Sequence, residues 1–223
     1  MRVLQGHWQL FLLTTFVFAL WQTPAVVPLK ILIVFFHEAS HAIATFVTGG
    51  EVVSLSVSPN QGGLVVSRGG SRFWTLTAGY LGSLLIGVSL LIGATRSRAD
   101  RKIMAVCGVM MLVIAGLYVR EIFALVFVIG TGIAMLLSAR FLGHNVNDLM
   151  LRVIGLTSMI YVPYDIFSDT IARSHLPSDA RMLAQEFGGT PQVWGVLWIA
   201  ISLIVIGFCM RSVLGRSSNL KLR

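Results

Sequence analysis

The stretch Ile31–Val47, ILIVFFHEASHAIATFV, holds a His-Glu-x-x-His motif inside a run of apolar residues. Residues four apart lie on one face of a helix, so His37 and His41 can direct both imidazoles at one metal ion. Glu38 occupies the position that zinc-dependent hydrolases with this motif give to their general base. A glutamate inside so apolar a helix is costly unless it has a partner or a chemical role. The motif therefore predicts two metal ligands and a catalytic base.

The composition is that of an integral membrane protein. Of the 223 residues, 56% are hydrophobic and 12% are charged, and the mean hydropathy is +0.83. Soluble domains have about a quarter of their residues charged. Since a spanning helix needs about 20 residues, the length predicts a single domain, residues 1–223, with six or seven transmembrane helices.

Seven apolar segments can be drawn along the chain. The first is short for a full span, and only Arg120-Glu121 separates the fourth from the fifth, which predicts a helical hairpin or one bent helix. The segments are Trp8–Trp21, Ile31–Val47, Phe73–Ala94, Ile103–Val119, Ile122–Leu137, Leu149–Phe167 and Val193–Met210.

Glu51–Arg68, EVVSLSVSPNQGGLVVSR, has a different character. Strand-forming residues flank a Pro-Asn-Gln-Gly-Gly turn, which predicts a β-hairpin directly after the motif helix, with a surface loop as the alternative. An exposed strand edge can pair with an extended peptide, and we expect Gln61, Gly62 and Gly63 to take part. The predicted fold is an all-α polytopic membrane protein with one small, membrane-associated β-hairpin.

The net charge of +8 reflects basic residues at the ends of apolar runs, as membrane topology requires. No nucleic-acid-binding motif accompanies them, so nucleic acid is excluded as a partner. With seven spans, the distribution of basic residues favours an N-out, C-in orientation. Cys107 and Cys209 each lie in an apolar run and are expected to be buried thiols without a metal or disulfide role.

A catalytic zinc site usually has three protein ligands. Asp165 is the carboxylate inside an apolar span, and Pro163 bends the helix beside it, so Asp165 is the predicted third ligand. Asp169 lies one turn further on the same face and is the alternative, either as the ligand or as a residue that orients the site. Asp148 and Asp179 are expected to be solvated.

These motifs together resemble the site-2 protease class of intramembrane zinc metalloproteases, and more closely its M50B-like branch. The resemblance covers most of the chain from about residue 35 to residue 200. It rests on an ordered set of pieces: Phe36–Ala44, Thr48–Gly50, Gln61–Gly63, Ala78–Ser83, Tyr164–Asp169 and Ser178–Ala180.

The resemblance implies one Zn²⁺ per chain, with His37, His41 and Asp165 as ligands and Glu38 activating the zinc-bound water. It also implies a multi-pass protein of the lipid bilayer (the cell membrane, in a prokaryote) that hydrolyses peptide bonds in or near transmembrane segments of other membrane proteins. Two alternatives stay open: a catalytically silent protein that binds membrane segments, and a transporter that uses His and Asp as an ion path. The oligomeric state is not indicated.

Overall fold

The computed structural model describes residues 2–215 and 217–219, with side chains from residue 5 onward. Within them the chain forms eight α-helices and one β-hairpin. The elements are α1 (Arg2–Ala19), α2 (Val27–Val47, preceded by the 3₁₀ turn Pro24–Val26), β1 (Glu51–Val57), β2 (Gly63–Arg68), α3 (Arg72–Arg96), α4 (Asp100–Tyr118), α5 (Ile122–Phe141), α6 (His144–Phe167), α7 (Asp179–Phe187) and α8 (Pro191–Leu214).

Six helical stretches of the described chain are long and apolar enough to cross a membrane. They contain α2, α3, α4, α5, α6 with its π-helical extension Ser168–Ala172, and α8. The first predicted segment, Trp8–Trp21, falls mainly in α1, which is kinked at His7 and is not among the six. The predicted polytopic helical fold is confirmed, with six candidate spans.

The fourth and fifth predicted segments form a helical hairpin, the first of the two predicted arrangements. Val119 and Glu121 adopt extended backbone conformations between α4 and α5. The backbones of these two helices approach closely where glycine faces glycine: a Cβ added to Gly108 would lie 2.8 Å from the Gly132 carbonyl oxygen. Small residues at such contacts are typical of helix packing in membranes.

Helix α2 lies at the centre of the molecule. Its span is 72% buried by the rest of the chain, against 22% for the spans of α4 and α8. The outer helices instead present large apolar side chains, as lipid contact requires; examples are Val106, Val113, Val126, Ile133, Leu203 and Phe208. The motif helix α2 is therefore apolar because it is buried inside the protein, whereas the outer helices are apolar because their surfaces contact lipid.

The β-hairpin follows α2 as predicted. β1 and β2 pair antiparallel, from Glu51 opposite Arg68 to Val57 opposite Gly63, with an irregularity between Val52 and Ser54. Leu55 and Val57 are buried, while β2 is more exposed. At the turn, Gln61 has a φ of 62°, and the Ser58 N–H donates to the Gly62 carbonyl at 2.8 Å. The hairpin thus has one strand packed on the protein and one strand with an open edge.

Residues near the two ends of the described chain contact each other. The Ser218 N–H donates to the Gly6 carbonyl at 3.0 Å, and the His7 Nδ1 lies 2.8 Å from the Ser218 Oγ. Arg152 bonds the Ser218 carbonyl and pairs with Asp148 at 2.7 Å. Asp148 is buried in this network, so the expectation that it is solvated is wrong. The contact brings residues near the two ends of the described chain together, and the N-out, C-in orientation stays a prediction.

Candidate metal centre

The two motif histidines converge as their spacing predicts. Their Nε2 atoms are 2.9 Å apart, and the rings meet nearly perpendicular with centroids 4.6 Å apart. His41 Nδ1 lies 2.6 Å from the Thr75 carbonyl oxygen in the first turn of α3. A carbonyl only accepts, so Nδ1 carries the proton and Nε2 presents its lone pair to the site. This hydrogen bond fixes the His41 ring in the orientation that a metal ligand needs.

Helix α3 approaches the histidines through Gly79. A Cβ added at this position would collide with His37 Nε2 and would lie 2.6 Å from His41 Cε1. The Tyr80 ring packs edge-on against the His37 ring, with centroids 4.6 Å apart. The absence of a side chain at Gly79 therefore makes room for both imidazoles beside α3.

Asp179 completes the group. Its Oδ2 lies 2.9 Å from His37 Nε2 and 3.1 Å from His41 Nε2. The residue is 8% exposed, so the expectation of a solvated Asp179 is wrong. Burial alone would raise the pKa of Asp179, but the two histidines at its Oδ2, when protonated, hold that pKa below its ordinary value. Asp179 is therefore an ionised carboxylate across the physiological pH range.

The position of Asp179 follows from how α7 is anchored. Ser178 caps the helix by accepting a hydrogen bond from the Arg181 N–H at 3.3 Å. Ala180 and Leu183 are fully buried, and α7 packs against α3 and α8. This apolar contact turns the first residue of α7 inward, toward the histidines.

Asp165 and Asp169 lie in the same cavity, but neither belongs to the His37–His41–Asp179 group found among the described residues. Asp169 accepts from the Tyr80 hydroxyl at 2.8 Å and from Arg173 at 2.7 Å. Asp165 accepts from the Tyr161 hydroxyl. Helix α6 continues through Pro163 to Phe167 and holds Asp165, and its π-helical extension Ser168–Ala172 holds Asp169. Both carboxylates lie in the cavity beside the His37–His41–Asp179 group, to which α7 contributes Asp179.

The three donor atoms fit a single ion. They all lie within 4.8 Å of one another, and the three pairwise separations are 2.9 to 3.1 Å. A tetrahedral ion with bonds of about 2.0–2.1 Å separates its ligand atoms by about 3.3 Å, so small outward shifts accommodate it. Two neutral imidazoles and a carboxylate form a donor set that suits zinc.

Glu38 lies beside this group and is 6% exposed. The backbone N–H of Val65 in β2 donates to its carboxylate. Gly63 packs against the same group, since a Cβ there would collide with the Glu38 carboxylate. The hairpin therefore contacts the predicted base directly, and a sequence pattern alone does not show this contact.

One cavity of about 860 Å³ is lined by the two histidines and the four acidic residues described above: His37, Glu38, His41, Asp165, Asp169 and Asp179. Its walls come from α2, the hairpin, α3, the end of α6 and the start of α7. Gln61, Gly62 and Gly63 form part of the wall beside Glu38, and Lys30, Arg72 and Tyr164 lie further out. The candidate centre is therefore reachable from a space large enough for several residues of an extended peptide.

A bundle of six candidate membrane spans with a His-His-Asp centre in its interior defines a multi-pass membrane protein with a candidate metal site. The Peptidase M50B-like family matches residues 10–209, and the chain belongs to that family. The resemblance drawn from the sequence motifs is thereby confirmed. Comparison with curated proteins and with solved structures gave no match.

Proposed function

We propose that this protein is an intramembrane zinc metalloendopeptidase that hydrolyses peptide bonds in or near transmembrane segments of other membrane proteins. The observation that carries the proposal is the convergence of His37, His41 and Asp179, with Glu38 next to them, in a cavity inside a membrane bundle. Membership of a peptidase family supports the same reaction class.

In this proposal His37, His41 and Asp179 hold one zinc ion, and Asp179 replaces Asp165 as the third ligand. Bound zinc supplies Lewis acidity toward water and toward the scissile carbonyl. Glu38 accepts the proton that water loses on attacking the carbonyl carbon. It then returns that proton to the nitrogen of the departing amine as the C–N bond breaks, so the carboxylate is regenerated.

We further propose that the substrate pairs with the edge of β2 that faces away from β1. The Val65 N–H points to Glu38 and thus away from β1. Backbone groups alternate in direction along a strand, so those of Gly63 and Ser67 face the same way, and all three residues line the cavity. A substrate strand at this edge, with the predicted contribution of Gln61 and Gly62, lies directly beside Glu38. Pairing of this kind requires the substrate helix to unwind locally, because a helix uses its own amides.

Glu38→Gln tests the proposed chemistry. Glutamine keeps the shape of the side chain but cannot accept the proton, so peptide cleavage by the purified protein in detergent should fall by at least about a hundredfold. Zinc content and the thermal unfolding midpoint should stay unchanged, because Glu38 is not a ligand. Full cleavage activity in this variant would contradict the assigned role. Equal absence of cleavage in wild type and variant, with peptide binding retained, would favour the silent binding protein.

A further inference from the structure

Lys30 is a buried cation in the wall of the active-site cavity. It lies on the face of α2 that also carries Val34, His37, Glu38 and His41. The residue is 8% exposed. Its Nζ lies 4.6 Å from the centroid of the Trp21 ring, and within the described chain no hydrogen bond or ion pair involves it. The ammonium group therefore has an aromatic neighbour and no anionic one.

The other two basic side chains on the cavity wall, both arginines, are already paired. Arg72 binds Glu186 at 2.9 Å, and Arg173 binds Asp169 at 2.7 Å. An ammonium group that opens into a protein cavity without a counter-ion is only partly stabilised by a cation–π contact. Lys30 thus provides a positive site in the cavity that an incoming anion would complete.

The spacing along α2 relates this site to the metal centre. Lys30 precedes His37 by seven residues, which corresponds to about 10 Å at a rise of about 1.5 Å per residue. An extended peptide covers that distance in about three residues. A substrate chain bound at the centre therefore brings a side chain or a chain end near Lys30.

We propose that Lys30 binds a carboxylate of the substrate peptide about three residues from the scissile bond. The carboxylate belongs either to an Asp or Glu side chain or to the C-terminus of the substrate. A lipid phosphate fits less well, because Lys30 lines the same cavity as His37, Glu38 and His41. The inference rests on the proposed protease function and adds a specificity determinant to it.

The experiment uses the full-length protein in detergent and fluorescence-quenched peptides of ten residues. Each peptide carries one Asp, moved through the positions in turn, and is compared with its Asn counterpart; a second series compares free with amidated C-termini. We expect kcat/KM to fall by about tenfold or more when the carboxylate at one position near the third residue from the cut is removed. Whichever series shows this fall identifies the source of the carboxylate.

Four substitutions make the test specific. Lys30→Met should abolish the preference for the carboxylate, and Lys30→Gln serves the same purpose if the Met variant is unstable. Lys102→Met, at an exposed position of α4, should retain the preference. Lys30→Glu should reverse it in favour of peptides with Lys at that position, and a merely structural role of Lys30 does not predict such a reversal. Thermal unfolding and zinc content verify that each variant is folded.

Binding separates this inference from the proposed reaction. In the Glu38→Gln background, fluorescence anisotropy should show the same ratio of Kd values for carboxylate and neutral peptides, and Lys30→Met should remove it. If this ratio is present while wild type cuts no peptide, the Lys30 site stands and the protease proposal fails. If the protein cleaves peptides and the Lys30→Met variant keeps the same preference for the carboxylate peptide, the Lys30 site is overturned. The site is also overturned if phosphatidylglycerol nanodiscs, and not acidic peptides, bind in a Lys30-dependent manner.

Discussion

Gly63 and Gly62 are adjacent residues at the end of the hairpin with very different surroundings. A Cβ at Gly63 would collide with the Glu38 carboxylate, whereas a Cβ at Gly62 would meet only the Ser58 Oγ, at 3.2 Å. Glu38 is held between this glycine and the Val65 N–H. The chemistry of the base therefore depends on the absence of one methyl group in β2.

Gly63→Ala should displace the Glu38 carboxylate and lower kcat by about a hundredfold, since a displacement of about 1 Å in a reacting group has an effect of that size. Zinc content should remain that of wild type, because the ligands are untouched. Gly62→Ala is the matched control and should keep most of the activity. Similar activities of the two variants would show that the hairpin does not position Glu38.

At the scale of the elements, α7 supplies the carboxylate of the proposed metal ligand set. It has nine residues and is not a membrane span, yet its buried Ala180 and Leu183 fix Asp179 at the histidines. Because this short helix packs on α3 and α8, the polar stretch after α6 contributes a residue to the candidate metal centre. The affinity for the metal is then tied to the packing of α7.

Leu183→Ala removes the main apolar anchor of α7 and leaves a cavity. Asp179 should become less well positioned, and zinc affinity measured by competition with a chelator should fall by about ten- to a hundredfold, as for other contacts that orient ligands. Gln185→Ala, on the exposed side of the same helix, should leave the affinity unchanged. An unaltered zinc affinity in the Leu183→Ala variant would show that metal binding does not depend on the packing of α7.

The sequence predicts the helices and strands better than it predicts the tertiary contacts between them. The apolar runs predict the spans, and the turn residues after Val57 predict the hairpin, because both signals depend only on residues close together in the sequence. The His-x-x-x-His pair is also local, because one helix turn brings the two rings together. Asp165 is predicted as the third ligand because it is an acid in an apolar span. This reasoning judges whether a residue is buried only from the residues next to it in the sequence.

Asp179 shows where such reasoning fails. It lies in a polar stretch, and its burial arises only when α7 folds back against α3 and α8. Two signals were available: the spacing of Ala180 and Leu183, which marks one apolar face, and the Ser178–Ala180 piece within the family resemblance. The contact between the hairpin and Glu38 has no comparable local signal, since it depends on how β2 lies across α2.

At the scale of the whole molecule, the pairing of Gly6 and His7 with Ser218 places both ends of the chain on one side. Five candidate spans separate the hairpin from Ser218. If each of them crosses the membrane once, we expect the tip of the hairpin, and with it the cavity of the candidate metal centre, on the side away from the termini. We then expect the clusters at Arg96–Lys102 and Arg140 on the side of the termini, which the positive-inside rule predicts to be the cytoplasm.

Single cysteines at Gln5, Ser217 and Asn60 test this arrangement, in a background where Cys107 and Cys209 are replaced by alanine. A membrane-impermeant maleimide applied to intact cells should label the Asn60 position only, and labelling of the other two should require permeabilisation. Labelling of Gln5 and Asn60 together, with Ser217 protected, would restore the N-out, C-in orientation.

The central claim is that His37, His41 and Asp179 hold one zinc ion. The most direct measurement is zinc per polypeptide, by elemental analysis of purified protein in detergent, for wild type and the His37→Ala, Asp179→Ala and Asp165→Ala variants. We predict about one zinc in wild type and in Asp165→Ala, and little or none in the other two. A folded wild type without zinc, or an Asp179→Ala protein that keeps its zinc while Asp165→Ala loses it, would contradict this assignment.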